Sequence, residues 1–460
     1  MLTHEQNELL TRVGPGTPMG DLLRRYWIPA LLSWELAEPD CPPITIKLVG
    51  EELVAFRQTD GKVGVVGARC AHRRAHLFWG RNEENGIRCV YHGWKFDCEG
   101  ACVDMPSEPE ESNFKDKVRI PAYPTYEVGG VVWCYMGPPD KKPAPPLFEW
   151  TQVPATHRGM TKVWQQCNWL QALEGGIDSV HTSFLHTAVN PARGVQRARS
   201  AVVEVVPAVH GSTYTVMRDL PDDLRSVNGY HWVMPWHQIR NGGDVGSHGH
   251  MWVPIDDENT MVFNFHWTWG DEPLVRRLHD GEAPPKWGSL YVSEDRRGPG
   301  RGGILVAEEG AEQPIWMSDA LEPIGMGNEF GLDVDIDDNF RSRRNMANQY
   351  LIDRDIQKRV TFTGIEGVNT QDRAVQESMG AIADRTLERL GTTDRMVIYA
   401  RRSLLRAINT VRDGGEPPGV APTYYKLRAA SKVLPKQVNW FEALKVELYQ
   451  LEEGEAARSS

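Results

Sequence analysis

The sequence predicts an α+β protein in which an all-β N-terminal domain is followed by a larger mixed α/β domain. Short runs of alternating apolar and polar residues begin at residue 44, as expected for β-strands. Helical periodicity is strongest towards the C-terminus, after further strand-like segments. With 460 residues, the chain is long enough for two or three domains that each bury a core.

The domain boundaries follow changes in composition along the chain. Near the N-terminus, Leu9, Leu10 and Val13 would share one face of a helix. A proline-rich stretch separates the strand-rich region from the α/β region, as a stiff linker would. The predicted segments are a helical arm over 1–37, the all-β domain over 38–138, the linker over 139–150, the α/β domain over 151–450 and a disordered tail over 451–460.

The elements of the all-β domain are predicted from alternation and turn residues. Asp60-Gly61 predicts a hairpin turn between two strands. Strands are predicted at 44–49, 53–57, 63–66 and 131–135.

The α/β domain is predicted to contain strands at 202–206, 213–218, 251–254 and 261–267. Residues 294–345 lack periodicity and are expected to form long loops or a lid. Two helices are expected, one over 372–390 with apolar Val375, Met379, Ile382 and Leu390 at helical spacing, and one over 396–411 capped by Asp394.

Composition argues against several classes of protein. The 62 acidic residues outnumber the 51 basic ones, and the net charge of −11 argues against a nucleic-acid partner. No apolar run approaches roughly eighteen residues, so no membrane span is expected. Seven cysteines do not suggest a disulfide framework, and the N-terminus lacks the layout of a signal peptide. A cytoplasmic location is therefore predicted.

Two short motifs each pair a cysteine with a histidine: Cys70-Ala71-His72 and Cys89-Val90-Tyr91-His92. Such a set suits either a tetrahedral zinc ion or a [2Fe–2S] cluster with two cysteines on one iron and two histidines on the other. Zinc modules usually take both cysteines from one arm, whereas here each arm is mixed. The adjacent Gly93-Trp94 supports the cluster, because glycine lets the backbone turn tightly beside a ligand. A cluster that passes single electrons needs a destination for them.

A second candidate metal site lies in the α/β domain, where His181 and His186 are five residues apart. On an unbroken helix they would point roughly 140° apart, so they could share a metal only if the helix ended between them, as Thr182-Ser183 would allow. With a carboxylate they would form the facial triad of a non-haem iron site. The alternative is that both histidines are ordinary polar or capping residues near a helix end. The need for an electron acceptor favours iron.

The chain resembles the oxygenase (α) subunit of Rieske non-haem iron ring-hydroxylating oxygenases, most closely the phthalate 4,5-dioxygenase-like group. The resemblance covers nearly the whole chain, notably the cluster motifs, 168–186 and 362–400. It implies an all-β Rieske [2Fe–2S] domain followed by a catalytic domain with an antiparallel sheet and helices, of the helix-grip, START-like type. One departure lies in the first cluster loop, which has Ala71 where the family often has proline and Arg74 where it often has glycine.

The resemblance also implies roles for individual residues. Asp372 best matches the family's third iron ligand, with Glu366 and Glu377 as substitutes; its alternative role is a first-turn aspartate that favours the helix dipole. Asp178 matches the aspartate that links a cluster histidine of one subunit to an iron-bound histidine of its neighbour, although it could be a helix-surface charge. Such a bridge implies a homotrimer or stacked trimers, a hexamer. An NAD(P)H-dependent flavin and ferredoxin-type reductase would supply the electrons.

Three functions remain open on the sequence. The leading one is hydroxylation of an aromatic substrate by dioxygen, as cis-dihydroxylation; Arg218 and Arg240 could clamp a carboxylate of that substrate, or be ordinary surface arginines. An arginine expected within 230–236 in the phthalate group is absent, which argues against phthalate itself. The second function is O- or N-demethylation or another monooxygenation. The third is a Rieske electron carrier or a zinc-stabilised binding module.

Overall fold

The computed structural model describes residues 2–186, 201–241, 246–271, 275–277, 290–292, 304–306, 315–317, 336–420 and 424–451. The chain divides into two compact units. One comprises Val13–Pro146, and the other comprises Met1–Arg12 together with Leu147–Ser460. The first boundary therefore falls earlier than the expected residue 38, and the His4–Thr11 helix belongs with the C-terminal unit.

The N-terminal unit is built from three small antiparallel sheets. The predicted strands at 44–49, 53–57, 63–66 and 131–135 are confirmed, and Gly61 makes the hairpin turn at φ +88°. The first sheet has the strand order Trp27–Leu32, Val131–Tyr135 and Thr125–Val128. The second has the order Ile44–Leu48, Glu51–Arg57, Val63–Gly67 and Ala122–Tyr123. The third has the order Arg81–Glu83, Gly86–Arg88, Lys95–Phe96 and Cys102–Asp104.

The strand Trp27–Leu32 replaces part of the helical arm that we expected through residue 37. It pairs antiparallel with Val131–Tyr135 and is buried along its whole length. A strand that is buried on both faces is apolar throughout and shows no alternation, which is why its sequence did not reveal it. The helical parts of the expected arm are His4–Thr11, Pro18–Leu23 and a short 3₁₀ turn at Ser33–Leu36.

The C-terminal unit is organised around an eight-stranded antiparallel sheet. The predicted strands at 202–206, 213–218, 251–254 and 261–267 all lie within it. The strands follow the order Arg158–Gln165, Thr260–Thr268, Gly246–Pro254, His237–Asn241, Leu224–Val233, Gly211–Asp219 and Val202–Ala208, with Ala430–Pro435 pairing along the first part of Leu224–Val233.

Helices and short strand pairs complete this unit. Its described α-helices beyond the N-terminal one are Glu149–Gln152, Trp169–Ile177, Arg354–Arg359, Val368–Glu377, Arg395–Arg412 and Trp440–Tyr449. Two-stranded pairs join Leu147–Phe148 to Tyr424–Tyr425, Val275–Arg277 to Leu290–Val292, and Ile304–Val306 to Ile315–Met317. The last pair lies inside the predicted loop region 294–345, most of which is outside the described residues. Within the described part of the chain, no helix is long and apolar enough to cross a membrane.

The helix predicted over 372–390 is wrong in both extent and orientation. It runs over Val368–Glu377 and ends before Gly380, which adopts φ +90°. Its buried face is mainly polar, whereas Val375 and Met379 are 38% and 56% exposed. The helix ends early because the segment after it is hydrogen-bonded to the Trp169–Ile177 helix. In that segment, the N–H of Ala383 donates to Gln171 Oε1 at 2.8 Å.

The predicted helix over 396–411 is confirmed within Arg395–Arg412. Asp394 precedes it as expected but makes no side-chain capping bond to the helix. Its carboxylate instead accepts the N–H of Gly391 at 2.5 Å.

A buried charge cluster joins three parts of the C-terminal unit. Glu174 accepts from Arg385 Nε at 3.0 Å and from Arg401 Nε at 2.5 Å, and Arg385 also donates to Asn7 at 3.1 Å. Burial by itself would raise the pKa of Glu174, but the two arginines outweigh it and hold that pKa below its ordinary value. The cluster therefore ties the Trp169–Ile177 helix to the helix Arg395–Arg412.

Glu174→Ala is expected to lower the free energy of unfolding by roughly 3–5 kcal/mol, because it leaves Arg385 buried without its carboxylate. The thermal midpoint should fall by about 5–10 °C in circular dichroism. Glu388→Ala is the matched control. Among the described residues, Glu388 forms an ion pair with Arg401 alone and is 28% exposed, so its loss should cost less. Equal midpoints for Glu174→Ala and the wild type would contradict the structural role of this cluster.

Candidate metal centres

The first candidate centre lies between two tight loops of the N-terminal unit. In the first loop, Cys70 accepts the N–H of Arg74, and in the second, Cys89 accepts the N–H of Gly93, each at 2.9–3.0 Å through its carbonyl oxygen. Gly93 has φ +80°, and a Cβ there would approach the Pro106 ring to 2.6 Å. The glycine is therefore required by both the turn and its packing.

Arg74 occupies the equivalent turn position of the first loop. Its φ of +64° is in the left-handed region, which a glycine would adopt without strain. Arg74 therefore carries conformational strain at a position where a glycine would not. Other contacts support the backbone there, since the N–H of Cys70 donates to Ala75 at 2.9 Å.

The four side chains of these loops fall into two chemically distinct pairs. Cys70 and Cys89 are 1% and 3% exposed, whereas the rings of His72 and His92 lie nearer the surface with centroids 4.4 Å apart. Trp94 stacks on His72 at 4.5 Å. Two inner thiols and two outer imidazoles fit a two-iron cluster whose ends differ.

The Cys70 thiol lies in an environment that disfavours a lone thiolate. Burial raises the pKa of Cys70 to about 11. The N–H of His72 opposes this effect in part, and the neighbouring Cys89 adds to it. A thiolate pair in such a site needs a cationic partner, which a metal cluster provides. Cys70 and Cys89 could therefore hold one iron, and His72 and His92 the other.

The second candidate centre is set up by the end of the Trp169–Ile177 helix. Asn168 caps the helix by accepting the N–H of Leu170 at 3.1 Å. The helix ends at Ile177, and Asp178 is extended with φ −83° and ψ 94°. His181 then begins a short 3₁₀ turn. The three-residue spacing of Asp178 and His181 would place both on one face of a continuous helix, but here they do not share a helix. This early end of the helix is what lets both histidines turn towards one point.

Close packing behind the helix positions this end. A Cβ at Gly176 would lie 2.0 Å from the Trp252 ring, and one at Gly175 would lie 1.9 Å from Gln376 Nε2. The glycine pair therefore allows the helix to contact the sheet strand that carries Trp252 and the Val368–Glu377 helix that carries Asp372.

Three donor atoms converge at this centre. His181 Nε2 lies 3.2 Å from His186 Nε2 and 3.2 Å from Asp372 Oδ1, and His186 Nε2 lies 3.5 Å from the same oxygen. Ligands at right angles on one ion are roughly 3 Å apart, so this set fits one face of an octahedral metal and leaves the opposite face open. These are the residues among the described chain whose ligand atoms all lie within 4.8 Å of one another.

The Asp372 carboxylate and the His181 imidazole shift each other's pKa values towards their charged forms. Burial by itself would raise the pKa of Asp372, but His181 and His186 outweigh it and hold that pKa far below the usual range. Burial lowers and Asp372 raises the pKa of His181, and the carboxylate has the larger net effect. An ionised carboxylate facing two imidazole nitrogens is a suitable donor set for ferrous iron.

The two substitute carboxylates take no part in the donor set. Glu366 lies at the surface and pairs with Arg344 at 2.5 Å. Glu377 accepts the N–H of Gln166 at 2.9 Å and the hydroxyl of Tyr350 at 2.5 Å. Asp372 is also in the helix interior, four residues after Val368, so the alternative role as a first-turn aspartate is wrong.

Neighbouring side chains orient the two histidines. Asp178 Oδ2 lies 4.0 Å from His181 Nδ1, while Asp178 Oδ1 accepts the N–H of Val180 at 2.9 Å. His186 Nδ1 lies 2.7 Å from Gln371 Oε1. The sequence analysis missed Gln371, although its position directly before Asp372 was a signal that could have been used.

Arg218 does not have the position of a substrate clamp. Its Nε donates to Ser183 Oγ at 3.1 Å, and its Nη2 donates to the carbonyl of Ser179 at 3.0 Å. The guanidinium therefore holds the turn that carries His181. The proposed substrate role of Arg218 is not supported by these contacts.

Arg240 instead lines a cavity beside Asp372. The cavity has a volume of about 350 Å³, part of it open to solvent. Its apolar wall includes Val163, Trp252 and Val262, and its remaining lining is Gln165, Gly176, Arg240, His250, Asn264, Asn369, Asp372, Arg373 and Gln376. The cavity therefore places a cation, Arg240, in the same lining as the candidate metal ligand Asp372.

Comparison with known proteins identifies the family. Residues 26–124 match the Rieske [2Fe-2S] domain, and residues 134–209 and 326–459 match the "LigXa C-terminal domain like" family. The 3-chlorobenzoate-3,4-dioxygenase oxygenase subunit of Comamonas testosteroni is 39% identical over 96% of this chain and 97% of its own length. The chain belongs to the Rieske non-haem iron oxygenases.

A further relative supports the same family, and a solved structure supports the same fold. The phthalate 4,5-dioxygenase oxygenase subunit of Pseudomonas putida is 34% identical over 96% of this chain and 94% of its own length. The solved structure of NdmB from Pseudomonas putida CBB5 has a TM-score of 0.55 at 17% identity, covering 90% of this chain and 99% of that chain. The structural similarity supports the predicted fold class of an all-β Rieske domain followed by antiparallel sheet and helices.

As a Rieske non-haem iron oxygenase, the protein uses a [2Fe–2S] cluster and a mononuclear iron. The donor sets of the two centres fit these groups in number and type. It is the oxygenase subunit of a multicomponent system, which needs electron-transfer partners. The hypotheses of a simple electron carrier and of a zinc-stabilised binding module are therefore wrong.

Proposed function

We propose that the protein hydroxylates an aromatic acid, by cis-dihydroxylation of the ring. The observation that carries the proposal is the convergence of His181, His186 and Asp372 beside a cavity that contains Arg240. These three residues would hold Fe(II), and the cluster ligands would be Cys70, His72, Cys89 and His92. When bound, the iron supplies a site for dioxygen activation with electrons from the cluster.

The residues around the cavity would bind and orient the substrate. Arg240 can hold a carboxylate by a charge-assisted hydrogen bond. Trp252 and the two valines offer an apolar wall against which a ring can pack. Asp372 lies at the border of the same cavity, so a ring held there would face the open side of the iron ligands. The names of two relatives, a 3-chlorobenzoate and a phthalate dioxygenase subunit, also favour an aromatic acid.

Arg240→Met is expected to raise the KM for an aromatic carboxylate roughly 10- to 100-fold, because a charge-assisted hydrogen bond is lost. The neutral amide of the same acid is the matched control substrate, and its KM should change little. Steady-state oxygen uptake coupled to product formation measures both. An equal effect of the variant on the acid and its amide would remove Arg240 from carboxylate binding.

The electron supply and assembly are part of the proposal. We infer that an NAD(P)H-dependent flavin and ferredoxin-type reductase reduces the cluster. We also infer a homotrimer or stacked trimers, in which Asp178 links His181 to a cluster histidine of a neighbouring subunit. The 4.0 Å approach of Asp178 to His181 Nδ1 supports this link, because one carboxylate can accept N–H groups from two imidazoles. The cytoplasmic location stays a prediction.

Demethylation or another monooxygenation is the second candidate. The 5,5'-dehydrodivanillate O-demethylase oxygenase subunit of Sphingobium sp. is 30% identical over 91% of this chain and 84% of its own length. A cavity with a carboxylate-binding arginine would also accept a methoxylated aromatic acid. Oxygen-18 labelling separates the two reactions, because dioxygenation places both labelled atoms in one product.

The whole proposal is tested by metal analysis with EPR and a screen of aromatic acids. About three irons per chain, a rhombic signal from the reduced cluster and product-coupled oxygen uptake are expected. Zinc bound at Cys70 and Cys89, or iron only in the cluster, would overturn it. The screen should compare benzoates, phthalates, diaryl-ether acids and methoxybenzoates with one generic reductase.

A further inference from the structure

The side chain of Gln371 joins the second metal centre to a backbone carbonyl behind it. Its Oε1 lies 2.7 Å from His186 Nδ1, and its Nε2 donates to the carbonyl of Ile365 at 2.8 Å. The side chain is buried, with 2% exposure for the residue. We propose that Gln371 is a positioning residue that fixes the tautomer and orientation of His186, and thereby the retention and electronic environment of the iron.

The tautomer follows from the direction of the hydrogen bonds. The carbonyl of Ile365 can only accept, so the amide nitrogen of Gln371 must face it and the amide oxygen must face His186. An amide oxygen can only accept, so His186 Nδ1 must carry the proton. His186 Nε2 is then a lone-pair donor directed at Asp372 and His181, as a metal ligand requires.

Two adjacent residues of one helix contact opposite sides of the His186 ring. Gln371 and Asp372 follow each other on the Val368–Glu377 helix. Asp372 reaches the donor set directly, whereas Gln371 reaches the far side of the His186 ring. Any movement of this helix therefore moves a ligand and the support of a second ligand together.

The two histidines also have chemically different supports. His181 Nδ1 has the carboxylate of Asp178 as its neighbour, and His186 Nδ1 has a neutral amide. A carboxylate partner makes an imidazole a stronger donor than an amide does. The neutral support at His186 therefore keeps that ligand weaker than a carboxylate would, which distinguishes the two nitrogen ligands of the iron. This inference rests on the proposed iron site at His181, His186 and Asp372.

The test compares Gln371→Met, Gln371→Glu and the wild type, all purified with cluster and iron. Methionine keeps length and helix propensity but cannot accept the hydrogen bond. We expect Gln371→Met to bind Fe(II) about 10- to 100-fold more weakly, measured anaerobically by transfer to a chelator. We expect Gln371→Glu to retain iron and to alter the EPR rhombicity of the nitric oxide adduct, because its carboxylate makes His186 a stronger donor.

Gln58→Met is the control. Gln58 is a buried amide of the N-terminal unit, and its Nε2 donates to Asp60 Oδ1 at 3.0 Å. Its replacement also removes a buried amide hydrogen bond, yet should leave iron affinity within about twofold. The EPR signal of the reduced cluster reports in every variant that the rest of the protein is intact.

Two results would overturn the inference: iron affinity of Gln371→Met within twofold of the wild type, or an unchanged nitric oxide adduct in Gln371→Glu. Wild-type protein and Asp372→Ala are measured alongside. If the wild type binds no mononuclear iron, the proposed function fails and this inference fails with it. If the wild type binds iron, Asp372→Ala loses it and Gln371→Met keeps it, only the role of Gln371 is rejected.

Discussion

Asp372→Ala is expected to lose the mononuclear iron and to lower turnover by at least about 100-fold, while the [2Fe–2S] cluster remains. Loss of a group outside the ligand set already weakens metal sites about 10- to 100-fold, so the loss of a ligand should cost more. Asp372 supplies the oxygen that both imidazoles face, at 3.2 and 3.5 Å. Without it, the two histidines alone would hold the metal, and the negative charge that balances it would be missing.

Iron content after anaerobic gel filtration and the visible spectrum of the cluster measure this result. Glu366→Ala is the matched control, because Glu366 was an alternative ligand and forms a surface ion pair with Arg344. That variant should keep stoichiometric mononuclear iron. Retention of the iron in Asp372→Ala would move the third ligand to another residue.

Asp178→Asn is expected to keep both metal centres and to slow electron delivery to the iron by roughly 100-fold. Asparagine preserves the shape of the side chain but removes its charge and one acceptor oxygen. One oxygen of Asp178 is already used by the N–H of Val180 at 2.9 Å, so the other is the atom available to the imidazoles. The substitution should therefore weaken the link between the two rings without changing the iron ligands.

Rapid mixing of reduced protein with dioxygen and substrate measures this rate through the visible absorbance of the cluster. Asp384→Asn provides the control, since that carboxylate is at the surface and bonds to Thr386. Cluster re-oxidation in Asp178→Asn at the rate of the wild type would reject the bridging role. Loss of iron in this variant would instead assign Asp178 a role in holding His181.

Sequence patterns correctly predicted the strands and helices whose neighbours lie close by in the sequence. The strands around Asp60-Gly61 were predicted because alternation and a turn signal lie within one hairpin. The buried strand Trp27–Leu32 was missed, because a strand covered on both faces has no alternation to detect. The helix over Val368–Glu377 was misread because its apolar residues are exposed and its buried face serves a polar site.

In the candidate site, too, local sequence patterns revealed some of the residues and not others. The cluster motifs could be recognised because each cysteine and its histidine are separated by only one or two residues. The third iron ligand could be proposed only through the family resemblance, since nothing near Asp372 in the sequence indicates that it meets His181. The roles of Gln371 and Arg218 depend on contacts between segments far apart in the chain, which no local pattern encodes.

The sequence by itself determined the family, the cluster motifs and most strands, and it proposed the two histidines of the candidate iron site. The tertiary structure decided which carboxylate joins them, which arginine lines the cavity and which side chains hold the histidines in place. The physical reason is that spacing encodes contacts only within one turn or hairpin. The candidate iron site lies where the early end of the Trp169–Ile177 helix meets the Val368–Glu377 helix, and that meeting depends on the packing of the whole unit.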